Sequence, residues 1–140
     1  MAAVSQATTT WNGDLPSGSG STALETSGVG TYEVSWKART EPGGTTNPEE
    51  LLAAAHASCF SMALAHGLGE RGTPPTSIST TAKVSFVPGT GITGIELSTT
   101  ASVEGISEAD FQEVAEATKT GCPVSAALAA VPITLTATLA

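Results

Sequence analysis

The stretch from residue 46 to residue 69, TNPEELLAAAHASCFSMALAHGLG, decides the fold because it predicts one long helix with a single cysteine, Cys59, near its middle. Asn47 is a favourable N-cap, Pro48 suits the first helical position, and Glu50 is spaced to complete a capping box. Ala and Leu dominate until the glycines near the end supply a stop. Apolar or small side chains recur at helical spacing, which predicts that Cys59 faces the rest of the protein; they are Leu52, Ala55, Cys59, Met62 and Ala63.

The residues before this helix predict short strands. Residues 1–41 contain three candidate strands, and the last one, from Tyr32 to Thr40, alternates most clearly between apolar and polar side chains. This alternation puts Trp36 and Arg39 on opposite faces of the strand. The turn that follows leads the chain into the long helix.

The residues after the long helix predict a long hairpin, two helices and a final strand. The hairpin spans 78–87 and 92–103, Ser107 caps the second helix, a short third helix runs from Pro123 to about residue 130, and the last strand covers 133–139. No βαβ alternation is visible, so we expect an α+β fold with antiparallel sheets packed around the central helix. The chain reads as a single domain, residues 1–140. Because the central helix is apolar on most of its circumference, we also expect a second copy to cover it in an obligate homodimer.

Composition excludes some classes of partner. The 140 residues carry a net charge of −8 and only five basic side chains, which argues against binding to nucleic acid or to an anionic membrane surface. We expect no apolar run to approach the roughly 20 residues of a membrane span, and the first ten residues, MAAVSQATTT, lack the features of a secretion signal. We therefore expect a cytoplasmic protein.

Two cysteines, Cys59 and Cys122, are the main candidates for chemistry. In a reducing cytosol such a pair is more often catalytic or redox-sensing than structural. The structural alternative is a bridge closing a loop of 63 positions, worth about 4 kcal/mol. Cys59 alone also fits a small core residue, and Cys122 alone fits a helix N-cap before Pro123.

A buried thiol needs a cation to ionise, and Arg39 is the best candidate for Cys59. The other basic residues fall on expected solvated positions or in a loop, whereas Arg39 lies beside the turn that feeds the helix. Cys122 needs no ion partner, because it precedes a helix N-terminus. His56 shares the helix with Cys59 and admits a Cys–His nucleophile, but further ligands for a metal are lacking, so we expect no metal and favour a surface or interface role for His56.

The segments TNPEELLAAAHASCFSMAL and KTGCPVSAAL resemble the OsmC/Ohr family of thiol peroxidases, and in particular its OsmC branch; the likeness extends over nearly the whole chain. The resemblance implies an intertwined homodimer without bound cofactor that reduces organic hydroperoxides, and hydrogen peroxide less efficiently, in oxidative or osmotic stress defence. It implies that Cys59 is the peroxidatic cysteine, Cys122 the resolving cysteine, Arg39 the catalytic arginine and Glu49 its partner. It also suggests a lipoyl-type dithiol as reductant.

Helix geometry adds a constraint to these roles. Glu49 and Cys59 are ten residues apart, which is about 15 Å along a straight helix, so they cannot meet within one chain. We expect that two subunits share each site, or else that the helix bends. The rival functions are a thiol hydrolase using Cys59 and His56, and a non-catalytic redox sensor or structural dimer.

Overall fold

The computed structural model describes all residues, 1–140, and divides the chain into two compact units, 1–51 and 52–140. The first unit contains one antiparallel sheet with the order β1-β2-β3. Its strands are β1 (Ala7–Asn12), β2 (Ser19–Leu24) and β3 (Thr31–Val34). Gly20 of β2 lies where a Cβ atom would come within 2.7 Å of Trp11 and 2.9 Å of Val34, so only glycine fits between these two side chains.

The third strand ends earlier than the sequence predicts. Strand β3 stops at Val34, and a 3₁₀ turn, Lys37–Arg39, replaces the expected strand through Thr40. The Ser35 hydroxyl accepts a hydrogen bond from the backbone N–H of Ala38 at 3.2 Å. Such a local side-chain bond competes with the sheet ladder and explains the early turn.

The long helix α1 (Pro48–Glu70) forms as predicted and starts at the predicted residue. The Asn47 side-chain oxygen accepts from the Glu50 N–H at 2.8 Å, which confirms the N-cap. The Glu50 carboxylate, which was expected to complete a capping box, accepts from the Thr46 hydroxyl at 2.7 Å. These bonds fix the direction in which the chain enters α1.

The inward stripe of α1 differs from the predicted one. His56, Phe60, Leu64 and Leu68 are fully buried, whereas Met62 is 70% exposed and Cys59 is half-buried. Ala55 is also exposed. The prediction misplaced the stripe because small apolar residues occur on every side of this helix, so their spacing does not identify the buried face.

The second unit contains a three-stranded sheet with the order β4-β5-β6. Strands β4 (Ser77–Val87) and β5 (Gly91–Ser102) form the predicted antiparallel hairpin, but β6 (Ile133–Leu139) pairs with β5 in parallel. The expectation of purely antiparallel sheets is therefore wrong. Helices α2 (Glu108–Gly121) and α3 (Pro123–Ala127) form the crossover that a parallel pair requires.

One core holds the second unit together. It joins α1, β5 and α2, and its buried residues are Phe60, Leu64, Leu68, Ile95, Leu97, Ala101, Phe111, Val114, Ala115 and Cys122. Helix α2 buries Phe111, Val114, Ala115 and Thr118, and the predicted cap Ser107 accepts from the Asp110 N–H at 3.1 Å. The fold class is α+β, as the element order predicts.

Helix α1 is also long and apolar enough, by length and composition alone, to cross a membrane. The expectation that no segment reaches that length is therefore wrong. One such helix is weak support for a membrane span, because the core helix of a soluble protein meets the same criteria.

Candidate active site

The two cysteines lie in contact within the second unit. Their sulfur atoms are 3.2 Å apart and carry no disulfide. Cys59 projects from the middle of α1, and Cys122 is the residue at which α2 ends and α3 begins. The fold thus brings together two residues that are 63 positions apart in sequence.

Cys122 lies where backbone and side-chain donors converge on its sulfur. It is fully buried and caps α3, and its sulfur accepts from the Ser125 N–H at 3.5 Å. Burial raises the pKa of Cys122, but bonds from the Ser125 N–H and hydroxyl, with contributions from Cys59 and Val124, outweigh it, so the pKa falls below its ordinary value. The expectation that Cys122 ionises readily without an ion partner agrees with this environment.

Cys59 has the opposite electrostatic environment. Burial raises the pKa of the Cys59 thiol, a hydrogen bond from the Val124 N–H lowers it, and the neighbouring Cys122 raises it further. The net direction is upward, so the surroundings within 52–140 favour the neutral thiol. The role of a nearby cation in ionising Cys59 stays a prediction.

Arg39 and Glu49 form a well-oriented ion pair within the first unit. Arg39 Nη2 donates to Glu49 Oε1 at 2.6 Å, and Nε lies 3.2 Å from each carboxylate oxygen. Glu49 is only 6% exposed, which limits competition from water. The predicted pairing of this carboxylate with the arginine is present in the structure.

Trp36 further restrains the guanidinium. The Arg39 guanidinium carbon lies 5.5 Å from the centre of the Trp36 ring, within the range of a cation–π contact. The prediction that these residues occupy opposite faces is therefore wrong. The 3₁₀ turn is the reason, because residues three apart are eclipsed in that conformation.

An apolar cavity opens beside Arg39 and lies within the first unit. It has a volume of about 340 Å³. Its walls combine aromatic and aliphatic side chains with a few hydroxyl groups; they are Thr9, Trp11, Leu15, Thr22, Val34, Ser35, Trp36, Arg39, Pro48 and Leu51. A cavity with one charged group in an apolar wall suits a ligand that has one polar end and a hydrophobic body.

His56 is a site residue that sequence reasoning misplaced. It is fully buried, and its Nε2 is 2.7 Å from the Ser125 hydroxyl, whereas its Nδ1 has no hydrogen-bond partner. Burial lowers the pKa of His56 below the ordinary value of 6.5. Neither ring nitrogen bonds to Cys59. No group of three or more His, Cys, Asp or Glu side chains is arranged to hold a metal ion.

A reduced cysteine pair in contact, with one thiol buried and the other half-buried, and an arginine held by a carboxylate are features of a thiol-based redox protein. A family model described as OsmC-like protein matches residues 41–136. The chain is also 44% identical over 123 residues to Peroxiredoxin OsmC of Escherichia coli and of Shigella flexneri, covering 86% of this chain and 86% of each relative. The chain therefore belongs to the OsmC family.

Solved structures agree with this assignment. An organic hydroperoxide resistance protein from Elizabethkingia anophelis is similar with a TM-score of 0.72, 25% identity and full coverage of both chains. An OsmC-like protein from Mycoplasma pneumoniae has a TM-score of 0.76 over 99% of both chains, at 16% identity. The second similarity supports the fold alone, and the expected OsmC-like α+β fold is confirmed.

Proposed function

We propose that this protein is a thiol-dependent peroxidase that reduces organic hydroperoxides, and hydrogen peroxide more weakly, through Cys59 and Cys122. The observation that carries the proposal is the 3.2 Å contact between the two free sulfurs. Its relatives at 44% identity are peroxiredoxins by name, which supports the same reaction class. The setting is that of a soluble cytoplasmic protein in oxidative or osmotic stress defence.

The chemistry proceeds in two steps at sulfur. The Cys59 thiolate attacks the outer oxygen of the hydroperoxide, the O–O bond breaks, and the alkoxide leaves and takes up a proton to become an alcohol. Cys59 is now a sulfenic acid. The Cys122 thiolate attacks this sulfur, an S–S bond forms, the S–O bond breaks, and the hydroxide leaves as water after protonation. An external dithiol of the lipoyl type then reopens the disulfide by thiol–disulfide exchange.

Arg39 supplies the positive charge that Cys59 lacks in its own surroundings. Glu49 holds the guanidinium through Nε and Nη2, and in the proposed site the positive charge of the guanidinium stabilises the thiolate and the departing alkoxide. Because α1 is uninterrupted from Pro48 to Glu70, Glu49 and Cys59 of one chain are about 15 Å apart along its axis. We therefore assign each site to two subunits of a homodimer: Cys59 from one subunit, and Arg39 with Glu49 from the other.

Two features of the chain support the dimer and the substrate class. The apolar side chain of Met62 on helix α1 is 70% exposed, and a second copy of the chain would cover it. The apolar cavity of about 340 Å³ beside Arg39 is suited to the organic part of a hydroperoxide. No bound cofactor takes part in the proposed reaction.

Rapid mixing of reduced protein with an alkyl hydroperoxide tests the cysteine roles. Cys59→Ser should abolish peroxide consumption, whereas Cys122→Ser should still be oxidised once and then fail to turn over with a dithiol. Ser58→Ala, a change at an exposed neighbour on the same helix, serves as the matched control and should turn over normally. Normal turnover by Cys122→Ser would refute the resolving role, and stoichiometric oxidation without turnover of the parent protein would favour a redox sensor.

Subunit mixing tests the shared site. Dimers of Arg39→Ala and of Cys59→Ser are each inactive, but a mixed dimer regains one complete site if two chains build it. When the variants are unfolded together and refolded in equal amounts, about a quarter of the parent activity should return. No recovery, despite mixed dimers shown by mass spectrometry, would contradict the shared site. The thiol hydrolase is the weaker alternative, because His56 makes no hydrogen bond to Cys59.

A further inference from the structure

A buried hydrogen-bonded pair, His56 and Ser125, lies beside the cysteines, and the reaction described above gives His56 no role. His56 comes from the middle of α1 and Ser125 from the first turn of α3, 69 positions later in the sequence. Their side chains meet at 2.7 Å in a site that excludes water, with His56 fully buried and Ser125 only 3% exposed. Polar groups buried to this degree are costly unless they are paired, so the unpaired Nδ1 of His56 requires an explanation.

The unpaired nitrogen identifies the tautomer of His56. A neutral imidazole carries one proton, on either Nδ1 or Nε2. A proton on Nδ1 would leave a buried N–H donor without an acceptor, whereas a proton on Nε2 leaves only a lone pair unsatisfied. Orphaned buried N–H groups are the rarer of the two cases, which favours the Nε2–H form. Burial also keeps the ring neutral, because it lowers the pKa of His56.

This tautomer determines the direction of the Ser125 hydroxyl. If His56 Nε2–H donates to Ser125 Oγ, the hydroxyl proton must point to a different acceptor. The Cys122 sulfur is the candidate acceptor, because it lies beside Ser125 and receives the Ser125 backbone N–H at 3.5 Å. The groups acting on this sulfur come from Cys59 on α1 and from Val124 and Ser125 on α3, and no charged side chain is among them.

We propose that His56 is a positioning residue for the resolving step: by donating from Nε2 it holds the Ser125 hydroxyl with its proton directed at the Cys122 sulfur. The role rests on the proposed function, because it prepares Cys122 for attack on oxidised Cys59. His56 neither touches the peroxide nor changes its own protonation state. It acts through Ser125, which stabilises the negative charge on the attacking sulfur.

The size of the effect follows from the strength of the bond that is lost. A hydrogen bond to a charged atom changes the population of the charged form by about tenfold or more. A more basic thiolate is also a better nucleophile, because the rate of attack rises with the thiol pKa with a Brønsted coefficient of about 0.4 to 0.5. This gain recovers roughly half of the loss in thiolate population on a logarithmic scale. Loss of the Ser125 hydroxyl bond should therefore slow disulfide formation about threefold to tenfold.

The decisive experiment titrates Cys122 by its thiolate absorbance in full-length Cys59→Ser protein, where it is the only thiol. Against this parent, both Ser125→Ala and His56→Leu should lower the thiolate population at neutral pH about tenfold. His56→Gln should restore it, because the glutamine amide donates from nearly the position of Nε2. Ser61→Ala is the matched control: its hydroxyl donates to Thr80 at 2.8 Å and takes no part in the network, so the titration should not change.

The outcomes separate positioning from a structural role. An unchanged Cys122 titration in Ser125→Ala overturns the proposal, and so does a His56→Gln variant that ionises as poorly as His56→Leu. A role in stability alone would alter thermal unfolding without moving the titration. If His56→Leu does not fold, Ser125→Ala and His56→Gln still decide the question. The titration requires no peroxide, so a failure of the peroxidase function would be detected separately, as absent turnover by the parent protein.

Discussion

Oxidation of the cysteine pair should raise the free energy of unfolding by about 4 kcal/mol. The disulfide between Cys59 and Cys122 would close a loop of 63 positions, and the chain-entropy relation gives about 4 kcal/mol for a loop of that length. The sulfurs start 3.2 Å apart, and a disulfide requires about 2.0 Å, so each needs to move by only a fraction of an ångström. Because the sulfurs are already in contact, we expect most of the entropic stabilisation to remain.

Urea unfolding of reduced and peroxide-oxidised protein measures this difference. For a typical urea dependence of about 2 kcal/mol per molar, the midpoint should rise by about 2 M on oxidation. Both samples need the same protein concentration, because association would make the apparent stability depend on it. Cys122→Ser is the control and should show no such increase after the same treatment. A rise below about 1 kcal/mol in the parent, or an equal rise in the control, would refute the pairing.

Three further predictions follow from individual contacts. Glu49→Gln should slow the first oxidation of the protein about tenfold to a hundredfold in rapid-mixing experiments, because it removes charge-assisted bonds to Arg39. Lys37→Ala breaks an exposed ion pair and should change this rate less than about twofold. Acidification below the unfolded histidine pKa of 6.5 should lower the free energy of unfolding, because the folded state binds fewer protons at His56 than the unfolded state does. In His56→Gln this part of the pH dependence should disappear, and an unchanged slope of unfolding free energy against pH would contradict the assignment. Ser107→Ala should lower the free energy of unfolding by about 1 kcal/mol in urea titrations, since the α2 N-cap bond to Asp110 is lost, and an unaltered midpoint would exclude that contribution.

Features with local causes could be predicted from the sequence. The start of α1 follows from Asn47 and Pro48, and the start of α2 from Ser107, because a cap satisfies backbone groups only a few residues away. The hairpin of β4 and β5 follows from two runs of β-forming residues joined by a turn. Each of these signals acts over a short range of sequence and does not depend on the tertiary fold.

Features set by distant partners could not be predicted. The parallel pairing of β6 depends on where α2 and α3 return the chain, which strand composition does not encode. The burial of His56 depends on Ser125, 69 positions away, and no periodic pattern links the two. The early end of β3 had a signal in Ser35, a residue type that often bonds to nearby backbone, but the apolar alternation from Tyr32 obscured it.

The electrostatics of the two sulfurs imply an order for the proposed reaction. Cys122 carries the donors that stabilise its thiolate, whereas the surroundings of Cys59 favour the neutral thiol. Glu49 and Trp36 hold the guanidinium of Arg39 in a fixed orientation. In the proposed two-subunit site, this charge ionises Cys59 and also stabilises the departing alkoxide. Once Cys59 is a sulfenic acid, its sulfur becomes an electrophile at contact distance from a thiolate that is already favoured. The slow, selective step is thus assigned to Cys59 and the rapid step to Cys122, and this division limits the time in which the sulfenic acid can be oxidised further and irreversibly.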